Sequence, residues 1–206
     1  MGFYDRHILP RFINCACATK PIMKQREKVV PLASGTVLEI GIGTGLNLPY
    51  YDASKVQRVI GLDPSEASWK LAGARAADLD FDVEFIGLPG EEIPLEDASV
   101  DSVLVTFALC TIPDPVSALR GMARVLRPGG SLFFCEHGKA PDPAVRQWQD
   151  RINPLWRRIA GGCHLNRDIP HLLDDGGFVV SVLETGYLPH TPKFAGYNFW
   201  GSARRK

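Results

Sequence analysis

The chain has 206 residues, of which 45% are hydrophobic and 22% charged, and its 23 basic and 23 acidic residues leave no formal net charge. This balance argues against a disordered tail and against a protein whose main task is to bind nucleic acid. No apolar run approaches the roughly 18 residues of a membrane-spanning helix, and the start lacks the layout of a secretion signal. Five scattered cysteines do not form a disulfide framework. We therefore expect a cytoplasmic protein with one main domain.

Residues 1–33 differ in composition from the rest, and we predict that they form an N-terminal helical arm. The first thirty positions hold six basic residues against two acidic ones, which leaves +4. Apolar residues recur at helical spacing at Tyr4, Ile8 and Phe12. Because Pro10 interrupts this segment, we expect the helix to begin near it. The arm is predicted to be an apolar lid over a ligand site; the alternatives are plain packing on the core and a weak contact with a membrane surface.

From residue 34 to residue 206 the pattern alternates between short apolar strands and helices, which indicates a mostly parallel sheet with helices on both faces. The predicted strands are Thr36–Ile40, Arg58–Leu62, Val83–Ile86, Val100–Thr106, Ser131–Cys135, Phe178–Leu183 and Ala195–Ala203. The predicted helices are Pro64–Ala77, Pro115–Leu126 and 143–160, the last of which Pro154 could break. Ligands of such sheets bind at the carboxyl ends of the strands, near the point where strand order reverses.

The most informative stretch is 37–47, where a predicted strand enters a glycine turn and then a helix. Gly41, Gly43 and Gly45 allow positive φ and a close approach of a ligand to the backbone. The spacing is not that of the dinucleotide fingerprint, because the third glycine comes one residue early. Glu39 lies at the strand end beside the turn. Its carboxylate would repel a diphosphate and favour a cationic or hydroxyl-rich ligand.

Asp63 ends the second predicted strand, 20 residues beyond Gly43. A carboxylate at this place can hold a ribose diol through two charge-assisted hydrogen bonds. The alternative is a cap on a helix that starts at Pro64. With Glu39 and the glycine turn in the same chain, we favour the ligand role.

These motifs together resemble those of the class I S-adenosylmethionine-dependent methyltransferases over about residues 34–140. They are Glu-x-Gly-x-Gly-x-Gly at 39–45, then Asp63, Asp97-x-Ser-x-Asp101 before a Val-rich strand, and Val-Leu-Arg-Pro-Gly-Gly at 125–130. The resemblance implies a doubly wound, Rossmann-like sheet of seven strands, the last antiparallel, with S-adenosylmethionine over the glycine turn. By position it implies cofactor contacts for Glu39, Gly41, Gly43, Gly45, Asn47, Asp63, Pro64, Leu88, Gly90 and Thr106.

The resemblance also implies individual roles and one departure. Glu39 would orient the turn or approach the methionine amine, often through water. Many relatives carry an Asp that meets the adenine amino group at the position where this chain has Pro89. The backbone N–H of Gly90 could still face the ring, and Leu88 could form an apolar wall.

A closer resemblance is to the methyltransferase-like alkyl-thiol S-methyltransferases and their bacterial relatives. The shared segments are Leu109-Cys110-Thr111-Ile112, Phe134-Cys135-Glu136-His137 and Asn166-Arg167. It implies a small acceptor, with a thiol ranked first, then a lipid or quinone-like molecule, then arsenite. The animal enzymes carry an N-terminal membrane anchor, which we do not expect here. The predicted substrate contacts are Tyr4, Phe107, Cys110, His164 and Arg167.

His137 is the candidate catalytic residue. A thiol acceptor must lose its proton because the thiolate is the nucleophile, and an imidazole with a pKa near 6.5 can take it. The alternative is a hydrogen bond to a loop carbonyl. Adjacent strand residues face opposite ways, so we do not expect both Glu136 and His137 to reach the pocket. His164 and Arg167 lie in a polar segment late in the chain. The alternative to substrate contact there is that Asn166 caps a helix over 167–175.

The cysteines leave one further question. Cys15 and Cys17 with Cys163 could gather arsenite, although burial as small apolar side chains is the alternative. Zinc sites are typically built from paired Cys-x2-Cys units, which are absent, so we predict no metal site. The alternatives to an enzyme of this class are a non-catalytic module that keeps the fold for binding and a nicotinamide-dependent oxidoreductase. Nothing in the pattern predicts nucleic-acid binding, and the oligomeric state is left open.

Overall fold

The computed structural model describes residues 9–77 and 79–206. The strands are β1 (Gly35–Ile40), β2 (Val56–Leu62), β3 (Asp82–Ile86), β4 (Val100–Thr106), β5 (Leu126–His137), β6 (Phe178–Tyr187) and β7 (Tyr197–Arg205). The α-helices are α1 (Leu9–Cys17), α2 (Lys20–Val29), α3 (Glu66–Lys70), α4 (Gly73–Ala76), α5 (Pro115–Val125), α6 (Pro143–Ile159), α7 (Ile169–Asp175) and α8 (Lys193–Gly196).

The seven strands form one sheet in the order β3-β2-β1-β4-β5-β7-β6. The first five neighbours pair in parallel, and β7 runs antiparallel between β5 and β6. This confirms the predicted doubly wound, three-layer α/β class. Strand order reverses between β1 and β4, where Ile40 pairs with Leu62 on one side and Val105 on the other. The segments after these strands therefore share one edge of the sheet, where ligands of this architecture bind.

Alternating side chains of the central strands fill two apolar cores, one on each face of the sheet. On β1, Leu38 belongs to one core and Val37 to the other. Val29 and Val30, at the end of the arm, pack in the second core and are 1% and 0% exposed. The arm is thus joined to the sheet by buried apolar contacts. Among the described residues no helix has both the length and the apolar character needed to cross a bilayer.

The predicted helix Pro64–Ala77 is two short helices, α3 and α4, separated by a turn. Ser65 caps α3 by accepting from the backbone N–H of Ser68. Gly73 then starts α4, and glycine is a poor residue for a continuous helix. At the other end, Pro154 lies within α6 without ending it, so the break considered there does not occur.

The strand boundaries differ most from the prediction in β5, β6 and β7. β5 begins at Leu126 and already includes the Pro-Gly-Gly segment, because a register shift against β4 accommodates it and Gly129 has φ +84°. β6 continues to Tyr187 through its ladder with β7. β7 begins at Tyr197, since Lys193–Gly196 form α8.

Candidate active site

The glycine turn after β1 requires glycine at all three predicted positions. Gly41, Gly43 and Gly45 have φ of +73°, +52° and +72°. A Cβ at Gly41 would lie 2.5 Å from the Cβ of Ala108, whereas one at Gly43 would meet nothing closer than 3.8 Å. The backbone at Gly43 therefore faces open space. The helix expected after the turn is instead a series of turns and a 3₁₀ helix over Leu48–Tyr50, so no α-helix begins within residues 41–50.

Asp63 connects the glycine turn to the segment after β2. Its Oδ2 accepts from the backbone N–H of Gly43 at 3.0 Å, and its Oδ1 accepts from that of Ser65 at 2.8 Å. Burial raises the pKa of this carboxyl, and the two amide donors partly offset the rise. The alternative role of Asp63 is a cap on a helix that starts at Pro64, and the bond from the Ser65 backbone N–H fulfils part of that role. Each carboxylate oxygen still has acceptor capacity, and the neighbouring Pro64 is exposed.

Glu39 is buried below the turn, with 1% of its surface exposed. Its Oε1 accepts from Asn47 Nδ2 at 2.8 Å and its Oε2 accepts from the Tyr51 hydroxyl at 2.6 Å. Burial raises the pKa of Glu39, against the lowering effect of these donors and of Arg26. The geometry favours the orienting role for Glu39. Sequence analysis missed Tyr51, whose position twelve residues away carries no local signal.

Arg26 completes this network from the arm. Its Nη1 donates to Asn47 Oδ1 at 2.7 Å and to Thr106 Oγ1 at 2.6 Å, and its guanidinium lies 5.2 Å from the centre of the Phe107 ring. Arg26 is one of the six basic residues counted in the arm, and the structure buries it, with only 5% of it exposed. Asn47 and Thr106 are also buried, and their side chains bind protein partners. In the structure they hold the turn, and cofactor contact by these side chains stays a prediction.

The segment after β3 is packed rather than open. Gly90 is buried, and a Cβ there would meet Ile112 at 3.0 Å and Ile40 at 3.3 Å. Leu88 is half-buried and packs against the same core. A side chain at residue 90 would require these neighbours to shift, and the adenine contacts of both residues stay predictions.

An apolar cavity of about 430 Å³ lies beside the glycine turn. Its walls come from the arm, the β4–α5 loop, α6 and the β6–β7 connection. Lining side chains include Phe12, Ile22, Phe107, Cys110, His137, Trp156, Cys163 and His190. Phe107 has φ +53°, an uncommon conformation for a non-glycine residue that directs the chain sharply at the end of β4.

The arm lies over both the turn and the cavity. Asn14 on α1 accepts from the Thr44 hydroxyl at 2.6 Å, and Phe12 on the same helix lines the cavity. Tyr4 and Ile8 lie outside the described residues. The arm thus has the position of the predicted lid, while the 1–33 and 34–206 division stays a prediction.

His137 ends β5 and lines the cavity, as the catalytic prediction requires. Its Nε2 lies 3.2 Å from Cys163 Sγ, and its Nδ1 is buried without a hydrogen-bond partner among the described residues. Glu136 points away from the cavity, and its Oε1 accepts from the backbone N–H groups of Ala108 and Leu109 at 2.8 and 3.0 Å. The two neighbours therefore do not share the pocket.

Cys110 lies close to both His137 and Cys163, and the ligand atoms of the three residues are all within 4.8 Å of one another. The Cys163 thiol and the imidazole hold the pKa of Cys110 well below its usual value, despite burial. Burial lowers the pKa of His137, but the negative charge at Cys110 outweighs it and the net shift is upward. The cavity wall therefore favours a thiolate at Cys110.

Substrate contact by His164 and Arg167 stays a prediction, and the structure gives both residues contacts with the β4–α5 loop. Neither residue lines the cavity. The backbone N–H of His164 donates to the Cys110 carbonyl at 2.8 Å, and Arg167 Nη1 donates to the Leu109 carbonyl. Burial lowers the pKa of His164, and the nearby positive charge of Arg167 lowers it further. Both residues position the β4–α5 loop from behind.

Asn166 is not a helix cap. Its Nδ2 donates to Asp150 at 2.7 Å, while Asp168 occupies the N-cap of α7. The group of Cys15, Cys17 and Cys163 considered for arsenite does not form among the described residues. Cys15 is exposed, and Cys17 lines the cavity outside the three-residue group.

A family model described as a methyltransferase domain matches residues 38–134. The human thiol S-methyltransferase TMT1B is 39% identical over 152 residues, which are 71% of this chain and 62% of that protein. Human thiol S-methyltransferase TMT1A is 33% identical over 153 residues, 72% of this chain and 62% of that protein. This chain thus spans less than two thirds of the length of either relative.

A solved S-adenosylmethionine-dependent methyltransferase from Methanosarcina mazei superposes with a TM-score of 0.65 at 20% identity, over 82% of this chain and 92% of that one. At this identity the likeness concerns the fold. The family match, the two human relatives and the strand order agree with one another. The chain belongs to the class I S-adenosylmethionine-dependent methyltransferase family.

Proposed function

We propose that this chain transfers a methyl group from S-adenosylmethionine to a small thiol that enters the apolar cavity. One observation carries the proposal: the glycine turn and the cavity share the segment after β4. Phe107 lines the cavity, while the next residue, Ala108, packs directly against Gly41. A cofactor over the turn and an acceptor in the cavity would therefore meet at this segment. The names of the two human relatives support the thiol.

The residues around the turn fit the cofactor. Gly43 leaves open space above the backbone, and the half-buried Asp63 retains acceptor capacity for a ribose diol. Gly41 and Gly45 shape the turn, while Pro64, Leu88 and Gly90 complete the predicted contacts. When bound, S-adenosylmethionine supplies a methyl group already activated on a sulfonium. The protein then mainly has to align donor and acceptor.

His137 is proposed to take the proton of the acceptor thiol. The residue lines the cavity, and its Nδ1 has no hydrogen-bond partner among the described residues. The apolar lining, including Phe107 and Phe12, favours an uncharged, largely hydrocarbon acceptor.

The arm is proposed to close over donor and acceptor, because it contacts the turn through Asn14 and the cavity through Phe12. A weak contact of this arm with a membrane surface stays a secondary proposal. A cytoplasmic location is proposed on the five cysteines, all of which are free thiols in the structure.

The proposal is tested with purified protein, labelled S-adenosylmethionine and two matched acceptors, hexanethiol and hexanol. We expect label in the thiol product and none in the alcohol. Binding of S-adenosylhomocysteine is measured in parallel by calorimetry. Absence of binding contradicts the enzyme class, whereas binding without transfer to hexanethiol contradicts the acceptor.

A further inference from the structure

Two cysteines and a histidine from three separate segments meet at the wall of the cavity. Cys110 follows β4, His137 ends β5, and Cys163 lies in the loop after α6. Their sulfur and ring-nitrogen atoms all lie within 4.8 Å of one another, and all three residues line the cavity. Two thiolates and an imidazole are ligands that thiophilic cations select.

The spacing of these atoms suits a single ion. Tetrahedral zinc has bonds of about 2.3 Å to sulfur and about 2.0–2.1 Å to nitrogen, which places the sulfur and nitrogen ligands of such a set about 3.5–3.8 Å apart. His137 Nε2 and Cys163 Sγ are already 3.2 Å apart. Small side-chain movements would therefore close the group on one ion.

Polar groups lie beside both sulfur atoms. Trp156 Nε1 donates to Cys163 Sγ at 3.4 Å, and the Thr111 hydroxyl lies 3.5 Å from Cys110 Sγ. The half-buried guanidinium of Arg167 binds the carbonyl of Leu109, next to Cys110, and adds positive charge. Such outer hydrogen bonds and charges stabilise and orient metal ligands.

We propose that Cys110, His137 and Cys163 form a three-ligand site for Zn²⁺ whose fourth position opens into the cavity. Three protein ligands with one open position are typical of catalytic zinc, and two cysteines with one histidine are a known set. The earlier prediction of no metal rested on sequence spacing alone. Here the ligands are separated by 27 and 26 residues, so the chain carries no short motif for them.

The use of this site rests on the proposed function. An acceptor thiol bound at the fourth position loses its S–H proton to solvent, because a coordinating thiol is deprotonated. The thiolate sulfur then forms a bond to the methyl carbon, and the sulfonium carbon–sulfur bond breaks with its electron pair left on the departing sulfur. In this arrangement His137 acts as a ligand through Nε2, and the ion replaces it as the agent that generates the thiolate.

The test uses the full chain, reduced and freed of metal by a chelator, titrated with Co²⁺ as a spectroscopic substitute and then with Zn²⁺. We expect one ion per chain, with a thiolate-to-cobalt absorption band that Zn²⁺ removes. Cys110→Ser and Cys163→Ser should each lose the band, while Cys15→Ser, which changes an exposed cysteine outside the group, should keep it. Near-ultraviolet circular dichroism verifies that each variant is folded.

Absence of the band in the folded wild-type chain, or its persistence in a Cys110→Ser, Cys163→Ser double variant, would overturn the site. A second readout separates this inference from the proposed function. Metal-free protein that methylates hexanethiol at the full rate would overturn the role of the ion and leave His137 as the base. Metal bound by these ligands without any thiol methylation would support the site and contradict the proposed acceptor.

Discussion

The guanidinium of Arg26 donates to the side-chain oxygen of Asn47 at 2.7 Å, which connects the N-terminal arm to the end of the glycine turn. Asn47 in turn donates to Glu39. A positive charge from the arm therefore compensates a buried carboxyl under the cofactor site. This relationship makes the arm part of the site rather than an appendage.

Arg26→Met is expected to lower the free energy of unfolding by about 3 kcal/mol, because it removes the positive charge beside the buried Glu39 and leaves the side-chain oxygen of Asn47 without its donor. Lys24→Met, on the exposed side of the same helix, is the control and should change little. Urea denaturation followed by circular dichroism measures both. Equal stability of the two variants would contradict the network.

Asp63→Ala is expected to weaken S-adenosylhomocysteine binding about 10- to 100-fold, since a charge-assisted hydrogen bond contributes roughly 1.5–3 kcal/mol. Calorimetric titration measures the affinity. Asp52→Asn, which changes a carboxylate bonded to Ser54 and Lys55 instead, should bind normally. If both variants bind S-adenosylhomocysteine equally well, Asp63 holds the glycine turn and does not contact the cofactor.

Gly43→Ala should affect binding more than folding. Its Cβ would meet no protein atom within 3.7 Å, so the stability loss should be the cost of positive φ, about 1 kcal/mol. The same Cβ would occupy the space proposed for the cofactor. Gly129→Ala is the matched control, because it has φ +84° and open space far from the turn. The melting temperature of each variant is measured with and without S-adenosylhomocysteine. The ligand should stabilise Gly129→Ala more than Gly43→Ala. Identical ligand-induced shifts in the two variants would refute the placement of the cofactor.

His137→Gln should reduce kcat for hexanethiol by about 100-fold, the usual contribution of a positioned proton acceptor, with unchanged affinity for S-adenosylhomocysteine. A loss of cofactor affinity of similar size would indicate a structural role instead. The measurement combines single-turnover kinetics with calorimetry on the same preparation.

The lowered pKa of Asp101 predicts how the stability of the folded protein declines at acid pH. Burial would raise the pKa of its carboxyl, but the Thr36 amide and the Arg127 guanidinium outweigh burial and lower it. A carboxyl with a lowered folded pKa contributes stability above its unfolded pKa near 3.9 and loses it as the pH falls through the folded value. Asp101→Asn should therefore lower stability at pH 7 and flatten its decline below about pH 4. An unchanged acid profile in denaturation at several pH values would contradict this.

The sequence by itself determined the sheet, the edge where ligands bind and the glycine turn. Apolar alternation, glycine spacing and an acidic residue at a strand end are local properties of the chain, set by backbone geometry and side-chain period. For that reason the sequence predicted the glycine turn at Gly41 and the carboxylate of Asp63 directly after β2. The exact ends of helices were less well predicted, because caps such as Ser65 compete with propensity.

Only the tertiary structure decided which distant residues meet. Arg26 reads as a surface charge in the sequence, yet packing of the arm on the sheet buries it against Asn47. Cys110, His137 and Cys163 have no spacing that relates them, and they converge because β4, β5 and the loop after α6 end beside one cavity. The physical reason is that local pattern sets each element, whereas the contacts between elements depend on how their apolar faces pack together.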